Sequence, residues 1–490
     1  MENVAVYVRK KMLMDKYFSQ VKIVTPNNIS KLLKTSVRSV ISSAEIVNNF
    51  MLVSGKIVAN AVYLSDENKI ENTETAVDFV EKQKIGFVIS ELVAEDELEI
   101  TNVNISSSEV MLSVSHQTEL TGVYRYLLGD STKIEDDLVL NKKTIEVMNF
   151  KYSGDETFVV AEEMETNLKD IKILNIDSVA VLNSCVCGVD KVIVEGNVKV
   201  NALYSDDSGL GELVKDFEFK QEIAVKNVLP GMGVELVLRH LNTSIVEQVK
   251  DDKNSLAFVI DLSAKAYALE GASIQTFDDL FSLKNELVPV YELADFEECD
   301  GFDFDTDTVL TQTNVSSLQD FDDIVGVYQP RVQVLDFEEL DNKIALNAEI
   351  HALVIYKTET SIEKLDLVYE TKFETEKENA KKLCKISASA AVSAFKVKAG
   401  KDLECAFSVE YKFEYKKEKS EKFVKSFEIS KEKESCDAGV KVYVTRENQS
   451  VFEVSKALNV RPELITSQME VSDCFEAGQK VFVYCPLNLV

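Results

Sequence analysis

The chain lacks any run of roughly 18 or more consecutive apolar residues, the length that an α-helix needs to cross a bilayer. Its first segment, Met1–Lys16, also lacks the apolar core of about seven residues and the small-residue cleavage site of a secretory signal. We therefore expect a cytoplasmic protein without a transmembrane segment.

Positive charge is scarce, because 54 Lys and Arg stand against 84 Asp and Glu and leave a net charge of −30. Binding to nucleic acid or to anionic lipid depends on Lys and Arg that displace counterions from phosphate groups. This charge argues against both as partners and favours a basic protein partner, or simply solubility at high local concentration. The apolar content of 45% is ordinary for folded domains, and 490 residues are enough for several of them.

Metal-ligating and catalytic side chains do not cluster in the sequence. The eight cysteines include no C-x-x-C pair, and Cys185 and Cys187 share one side of a strand without a further Cys or His nearby. The histidines His116, His240 and His351 fall in separate strand-like runs. We expect reduced cysteines and packing histidines, with no metal site and no cofactor.

One acidic stretch has part of the spacing of a calcium loop. Asp303, Asp305 and Asp307 alternate as in such a loop, but Thr308 stands where glycine is needed and Asn314 where the bidentate Glu belongs. A Walker loop, a nucleophile elbow and a dinucleotide fingerprint are also missing from the sequence. We therefore expect a protein that is not an enzyme.

A repeat is the strongest internal signal. The segment Gly55–Tyr63 matches Gly196–Tyr204, with identical Gly, Asn, Ala and Tyr, and a weaker third copy spans Ala348–Tyr356. Each copy alternates apolar and polar residues with period two, which predicts a half-buried β-strand. Turn residues such as those of Pro230–Gly233 separate neighbouring strands.

The pattern predicts a mainly β protein, with three related antiparallel β-rich modules and a small C-terminal βααβ domain. We place the modules at residues 1–130, 131–275 and 276–436, and the C-terminal domain at residues 437–490. Between residues 292 and 341 fifteen Asp and Glu stand against a single Arg331. This composition predicts an acidic linker or surface loop within the third module, over residues 292–330.

The last fifty residues carry helix signals between two strands. Ser450 and Glu453 have the S-x-x-E spacing of a capping box, so a helix should begin there. Asn459 suits the left-handed turn that ends this helix, and Pro462 suits the first turn of a second one. The strand Val481–Tyr484 then closes a β-α-α-β order.

This order, with the segments Asn448–Phe452 and Glu476–Pro486, resembles the LysM domain. Asn448, Gln449 and Phe452 replace the Gly, Asp and Trp that are usual there. The upstream repeats look like the SPOCS domain, with Ala348 departing from its glycine. The whole architecture resembles the SipL-like and SpoVID-like spore-coat morphogenetic proteins.

The resemblance implies a non-enzymatic scaffold of spore-envelope assembly at the forespore surface, in the mother-cell cytoplasm. Its LysM-like domain would contact a SpoIVA-like basement-layer protein, and the β modules would hold other coat proteins. An alternative is a cell-wall or cortex protein that binds peptidoglycan or N-acetylglucosamine. The residues that we predict to bind the partner are Asn448, Gln449, Ser450, Val451, Phe452, Met469 and Val471.

Overall fold

The computed structural model describes residues 3–86, 89–129, 137–168, 170–207, 209–250, 253–314, 321–340, 343–376, 383–398, 402–433, 439–470 and 474–485. Antiparallel strands make up nearly all of these segments up to residue 432. The prediction of a mainly β protein is confirmed.

The strands follow one another along the chain with short turns. Up to residue 129 they are β1 (Asn3–Leu13), β2 (Tyr17–Val24), β3 (Ile29–Val47), β4 (Phe50–Ser65), β5 (Ile70–Lys84), β6 (Ile89–Ile105) and β7 (Glu109–Gly129). The next are β8 (Leu138–Thr166), β9 (Lys172–Cys187), β10 (Lys191–Asp206), β11 (Gly209–Ala224), β12 (Gly233–Lys250) and β13 (Lys253–Ser282). Then come β14 (Asn285–Asn314), β15 (Phe321–Leu340), β16 (Lys343–Thr358), β17 (Ile362–Glu376), β18 (Leu383–Lys398) and β19 (Asp402–Glu432).

The alternation of apolar residues accounts for these strands. Along β10 every second side chain from Val192 to Ala202 is buried, while its neighbours are partly exposed. In a strand successive side chains point to opposite faces, so this pattern places one whole face of the sheet in a core.

Each third of the chain contributes two sheets, and we call the strands of the first, second and last third the first, second and third group of strands. The first has β1, β2 and β6 around β7, together with β3–β4–β5. The second has β12–β13–β8 and β11–β10–β9, and the last has β14–β19–β18 and β15–β16–β17. A separate apolar core fills each pair of sheets, centred on Ile57, Val198 and Ile350 respectively.

The acidic stretch differs from the sequence prediction. Composition predicts a linker or surface loop over residues 292–330, but residues 292–314 lie within β14 and pair with β19, and residues 321–330 lie within β15. The partner strand explains the difference, because β14 pairs with β19 and Lys425 of β19 forms an ion pair with Glu292 at 3.0 Å. Neighbouring opposite charges on paired strands stabilise a sheet. Within the same range, residues 315–320 lie outside the described part.

The C-terminal unit comprises β20 (Val440–Val444), β21 (Gln449–Ser450), α1 (Val451–Leu458), α2 (Pro462–Thr466), β22 (Cys474–Phe475) and β23 (Lys480–Tyr484). The predicted capping box is confirmed: the Glu453 amide donates to Ser450 Oγ, and the Ser450 amide donates to the Glu453 carboxylate. Asn459 ends α1 in the left-handed conformation, as predicted. A small core of its own holds the unit together through Val454, Leu458, Val460, Ile465, Phe475, Val481 and Val483.

Candidate functional site

A β-bulge occurs at the same place in β3, β9 and β15. In each strand the pairing with the next strand skips one residue, which is Leu33, Leu174 or Val325. A bulge bends its strand and frees the extra residue from the ladder. The three skipped side chains lie in one buried cluster, so the bulges bring the three sheets into contact with one another.

This cluster, which we name the junction cluster, is apolar and almost completely buried. Its other members are Val62, Leu203 and Ile355, which occupy the same register position in their sheets, together with Leu210 and Tyr328. Full burial of one aliphatic side chain contributes about 1.5–3 kcal/mol. The junction cluster therefore contributes substantially to holding the sheets in a fixed arrangement.

Polar contacts surround the junction cluster. Lys34 is 1% exposed and forms an ion pair with Asp177 of the second group of strands. The Lys34 ammonium also lies 4.9 Å from the centre of the Tyr328 ring in the third group. Burial lowers the pKa of Lys34, and the Asp177 carboxylate opposes that effect. Ser36 Oγ donates to Asn175 Oδ1 over 2.8 Å, which adds a second bond between the first two groups.

Charged contacts at the outer side of the junction follow a cyclic order. Lys31 of the first group forms an ion pair with Glu363 of the third. The hydrogen bond from Asn27 lowers the pKa of Glu71 in the first group, and the charge of Lys172 of the second group adds to this effect. Lys31 and Lys172 occupy the same register position in their sheets. The third sheet has Asp323 at this position. The cycle therefore lacks its third lysine.

Glu212 of β11 lies opposite Leu203 of the junction cluster. Burial raises its pKa to about 7, against opposing contacts from Asn201, the Val327 backbone and Lys34. Asn201 Nδ2 donates both to Glu212 Oε1 over 2.7 Å and to the Val327 carbonyl over 3.0 Å. The second and third groups are thus joined by hydrogen bonds where the first two have an ion pair.

The predicted partner-binding residues of the C-terminal unit lie in two environments: most contact their own unit, whereas Phe452 contacts the body of the protein. Asn448 is exposed and accepts from the Ala477 amide, while Gln449 accepts from the Tyr443 hydroxyl. Ser450 forms the helix cap and Val451 packs against the small core, as Met469 also does. Val471 lies outside the described residues.

Phe452 is buried, but against the body of the protein. It packs on Phe281, with ring centres 5.6 Å apart, and on Val139. Lys456 of the same helix forms an ion pair with Asp279 at 2.6 Å. The first helix of the C-terminal unit is therefore occupied by an intramolecular contact.

Two further hydrogen bonds fasten this contact. Asn459 Nδ2 donates to the Leu283 carbonyl over 3.0 Å, and Lys433 Nζ donates to Asn459 Oδ1 over 2.7 Å. Asn459, whose backbone is in the left-handed conformation, thus ends the helix and also joins it to the turn between β13 and β14. The unit is held by an aromatic contact, an ion pair and these bonds together.

The opposite side of the C-terminal unit carries exposed apolar side chains, which we name the outer sheet face. In the antiparallel pair β20–β23, Val440 lies opposite Tyr484 and Val442 opposite Phe482. These residues and Val444 are 47–67% exposed. Contiguous apolar side chains in water are typical of an interaction surface. Sequence reasoning missed this face, although the alternation of Val440, Val442 and Val444 is its signal.

A buried cluster around His116 was also missed. His116 Nδ1 lies 2.6 Å from Glu81 Oε1, and its Nε2 shares a hydrogen bond of 3.2 Å with Ser19 Oγ. The hydrogen bond with Glu81 raises the pKa of His116. Burial raises the pKa of Asp96, a neighbour of His116, to about 6. The order Ser–His–carboxylate is that of a hydrolase triad. Here, however, His116 and Glu81 are each 2% exposed beneath the ring of Tyr17, so the imidazole is closed to a substrate.

The remaining sequence candidates stay apart from one another. Burial raises the pKa of Cys185 to about 12, which keeps its thiol protonated and unreactive. Asp305 accepts from the Thr375 hydroxyl, and the side chain of Asp303 lies outside the described residues. Within the described ranges, no group of three or more His, Cys, Asp or Glu is arranged to hold a metal ion.

One comparison with known proteins gives a match. Residues 168–246 match the family model described as SipL, SPOCS domain. The matched segment covers β9, β10, β11 and most of β12, which includes the second bulged strand of the junction. The match points to a role connected with the spore coat. No curated protein and no solved structure matches the chain.

Neither of the helices that the structure describes is long and apolar enough to cross a membrane.

Proposed function

We propose that this protein is a non-enzymatic scaffold of spore-envelope assembly. In this proposal three SPOCS-like modules form one platform, and a LysM-like C-terminal unit docks onto a SpoIVA-like basement-layer protein at the forespore surface. The observation that carries it is the SPOCS match over residues 168–246, whose matched sheet shares its bulge with two other sheets of the chain.

The shared backbone design supports the three copies. A β-carbon added to Gly55 would lie 2.5 Å from the Val40 carbonyl oxygen, and one added to Gly196 would lie 2.3 Å from that of Val181. Both glycines therefore allow the same close approach of backbone next to a second bulge. The third sheet has Ala348 at this register position and is the most divergent copy.

The contacts between copies support a rigid platform. The first copy bonds to the second through Lys34 and Asp177, the second to the third through Asn201, and the third to the first through Lys31 and Glu363. Each copy thus contacts both others around the junction cluster. A platform held in this way presents its surfaces at fixed spacing, which raises the effective concentration of one bound protein for the next.

Docking through the C-terminal unit is best served by the outer sheet face. Phe452, which the sequence favoured, is already covered by Phe281. Phe482 and Tyr484 are exposed on the opposite side, and Lys480 adjoins them at the end of the pair. Aromatic side chains rimmed by polar groups are what commonly anchors a protein interface.

The experiment compares the binding of three full-length chains to a purified SpoIVA-like protein. The variant Phe482→Ser should bind at least about thirtyfold more weakly than the unchanged chain, since an aromatic anchor contributes about 2 kcal/mol or more. Phe18→Ser is the matched control, because Phe18 is 73% exposed on β2. Its affinity should be unchanged.

A different ranking would overturn parts of the proposal. Equal affinity of the Phe482→Ser chain and the unchanged chain would contradict docking through the outer sheet face. Weakening by Phe452→Ala alone would assign docking to the helix side and require the C-terminal unit to leave Phe281. Retention of the chain on insoluble peptidoglycan, with no affinity for the basement-layer protein, would favour the glycan-binding alternative.

The same proposal holds that the protein acts by binding other proteins and not by catalysis. The Ser19–His116–Glu81 chain is closed by burial, which supports a structural role for it. The scaffold mechanism needs only surfaces that bind, and the outer sheet face and the fixed platform are of that kind.

A further inference from the structure

A cavity of about 450 Å³ lies where the three groups of strands meet. Its wall combines residues of β3, β4 and β5 with residues of β9 to β12 and of β15 and β18. Cavities of this size hold small molecules in many proteins. It lies beside the junction cluster and is distinct from the C-terminal unit.

Carboxamide side chains dominate the polar part of this wall. They are Asn60, Asn72, Asn175, Asn201, Asn242 and Gln329. Each carboxamide offers both hydrogen-bond donors and acceptors. Six of them give this wall many hydrogen-bonding groups that carry no charge.

Two of these groups have an acceptor without a donor. Asn60 Oδ1 and Asn201 Oδ1 are buried and accept no hydrogen bond from any described residue. They occupy the same register position in β4 and β10. Both oxygens have almost no accessible surface as they stand. Leaving a buried acceptor unsatisfied costs about 1–3 kcal/mol, so a side-chain rotation that brings either oxygen to a donor of a bound ligand would be stabilised.

The histidine in the wall is neutral. Burial lowers the pKa of His240 to about 4, and the nearby Arg38 adds to the effect. His240 Nε2 lies 2.9 Å from Ser178 Oγ and 2.7 Å from Thr243 Oγ1, which makes a hydrogen-bonded group of one imidazole and two hydroxyls. This part of the wall exchanges hydrogen bonds without carrying charge.

The charged residues of the wall include both signs. Arg38, Lys199 and Arg331 line it together with Asp177 and Glu74. Burial raises the pKa of the Glu410 carboxyl to about 7, and the charge of Lys199 opposes that rise. An anionic ligand would meet carboxylates and a cationic one would meet guanidinium groups, so the wall favours an uncharged ligand.

We propose that this cavity is a binding site for a short, uncharged saccharide. Sugar hydroxyls donate to carboxamide oxygens and accept from carboxamide and hydroxyl donors, so they match the wall described above. The aliphatic side chains of Val37, Val58 and Val200 line the same cavity and can cover the carbon faces of a sugar ring. Because the wall comes from all three groups of strands, the ligand also stabilises their junction.

Titration calorimetry on the full-length chain tests the site. The probes are tetramers of N-acetylglucosamine, of β-1,4-linked glucose and of α-1,4-linked glucose, with capped tetra-alanine as the peptide probe. At least one saccharide should bind and should raise the thermal unfolding temperature of the chain. Absence of saccharide binding, or binding of the peptide alone, would overturn the proposal.

Variants locate the site. Asn60→Leu and Asn242→Ala should each weaken saccharide binding about tenfold, which corresponds to about 1.4 kcal/mol. Asn104→Leu is the control, since Asn104 is exposed on β6, away from the cavity. Asn448→Ala probes the C-terminal unit and should leave the affinity unchanged. If Asn448→Ala weakens binding while both cavity variants do not, the saccharide site is not in the cavity.

Discussion

Leu174 tests the junction cluster most severely. Its side chain is 1% exposed and meets Leu33 of the first group of strands and Val325 of the third. Truncation of a buried leucine to alanine costs about 2–5 kcal/mol, with the upper part of the range where the surroundings cannot collapse into the cavity. Three sheets fix the walls around Leu174, so Leu174→Ala should fall near the upper part.

Urea unfolding followed by far-ultraviolet circular dichroism measures this loss. The midpoint for Leu174→Ala should move to clearly lower urea, whereas Leu229→Ala, which truncates a leucine that is 55% exposed, should unfold like the unchanged chain. The double variant Leu33→Ala with Leu174→Ala should cost less than the two single losses together, because contacting residues are not independent. A loss below about 1 kcal/mol for Leu174→Ala, or strict additivity, would refute the junction described here.

Three further stability predictions follow from the same region. Asp177→Asn should cost about 3–5 kcal/mol, because it leaves the charge of Lys34 buried and unpaired; a loss no larger than that of an exposed Asp would contradict this. Burial raises the pKa of Glu212 from 4.5 to about 7, so the fold loses stability as pH rises through this range. Glu212→Gln should therefore stabilise the protein more at pH 8 than at pH 4.5. An equal effect at both pH values would contradict a protonated Glu212. Gly196→Ala should lower the unfolding temperature, since its β-carbon would lie 2.3 Å from a main-chain oxygen, while Gly271→Ala, with open space around it, should not.

Period-two patterns made the strands predictable. The alternation along β4, β10 and β16 gives their buried faces directly, because each strand has one face in a core. The capping box at Ser450 and Glu453 was equally readable, since both partners lie within one helical turn. These features depend on neighbours in the sequence alone.

The junction could not be read in this way. Leu33 lies between Leu32 and Lys34, and only the bulge in the register turns it toward the other sheets. The burial of Lys34 follows from Asp177, which is 143 residues away. A strand pattern holds no information about such distant partners.

The acidic stretch and the helix face misled for a related reason. High acidic content suggested a linker or surface loop at residues 292–330, but residues 292–314 lie in β14, where β19 pairs with them and Lys425 forms an ion pair with Glu292. Phe452 is a predicted partner-binding residue, whereas in the structure Phe281 of the second group of strands covers it. Both outcomes depend on a surface that the local sequence does not contain.

The central claim is that the chain binds a basement-layer protein without changing it. Size-exclusion chromatography of the full-length chain mixed with a purified SpoIVA-like protein, followed by intact mass spectrometry of the eluted peak, tests this directly. We predict co-elution of both chains with unaltered masses. Separate elution, or a cleaved or modified partner in the peak, would contradict the account.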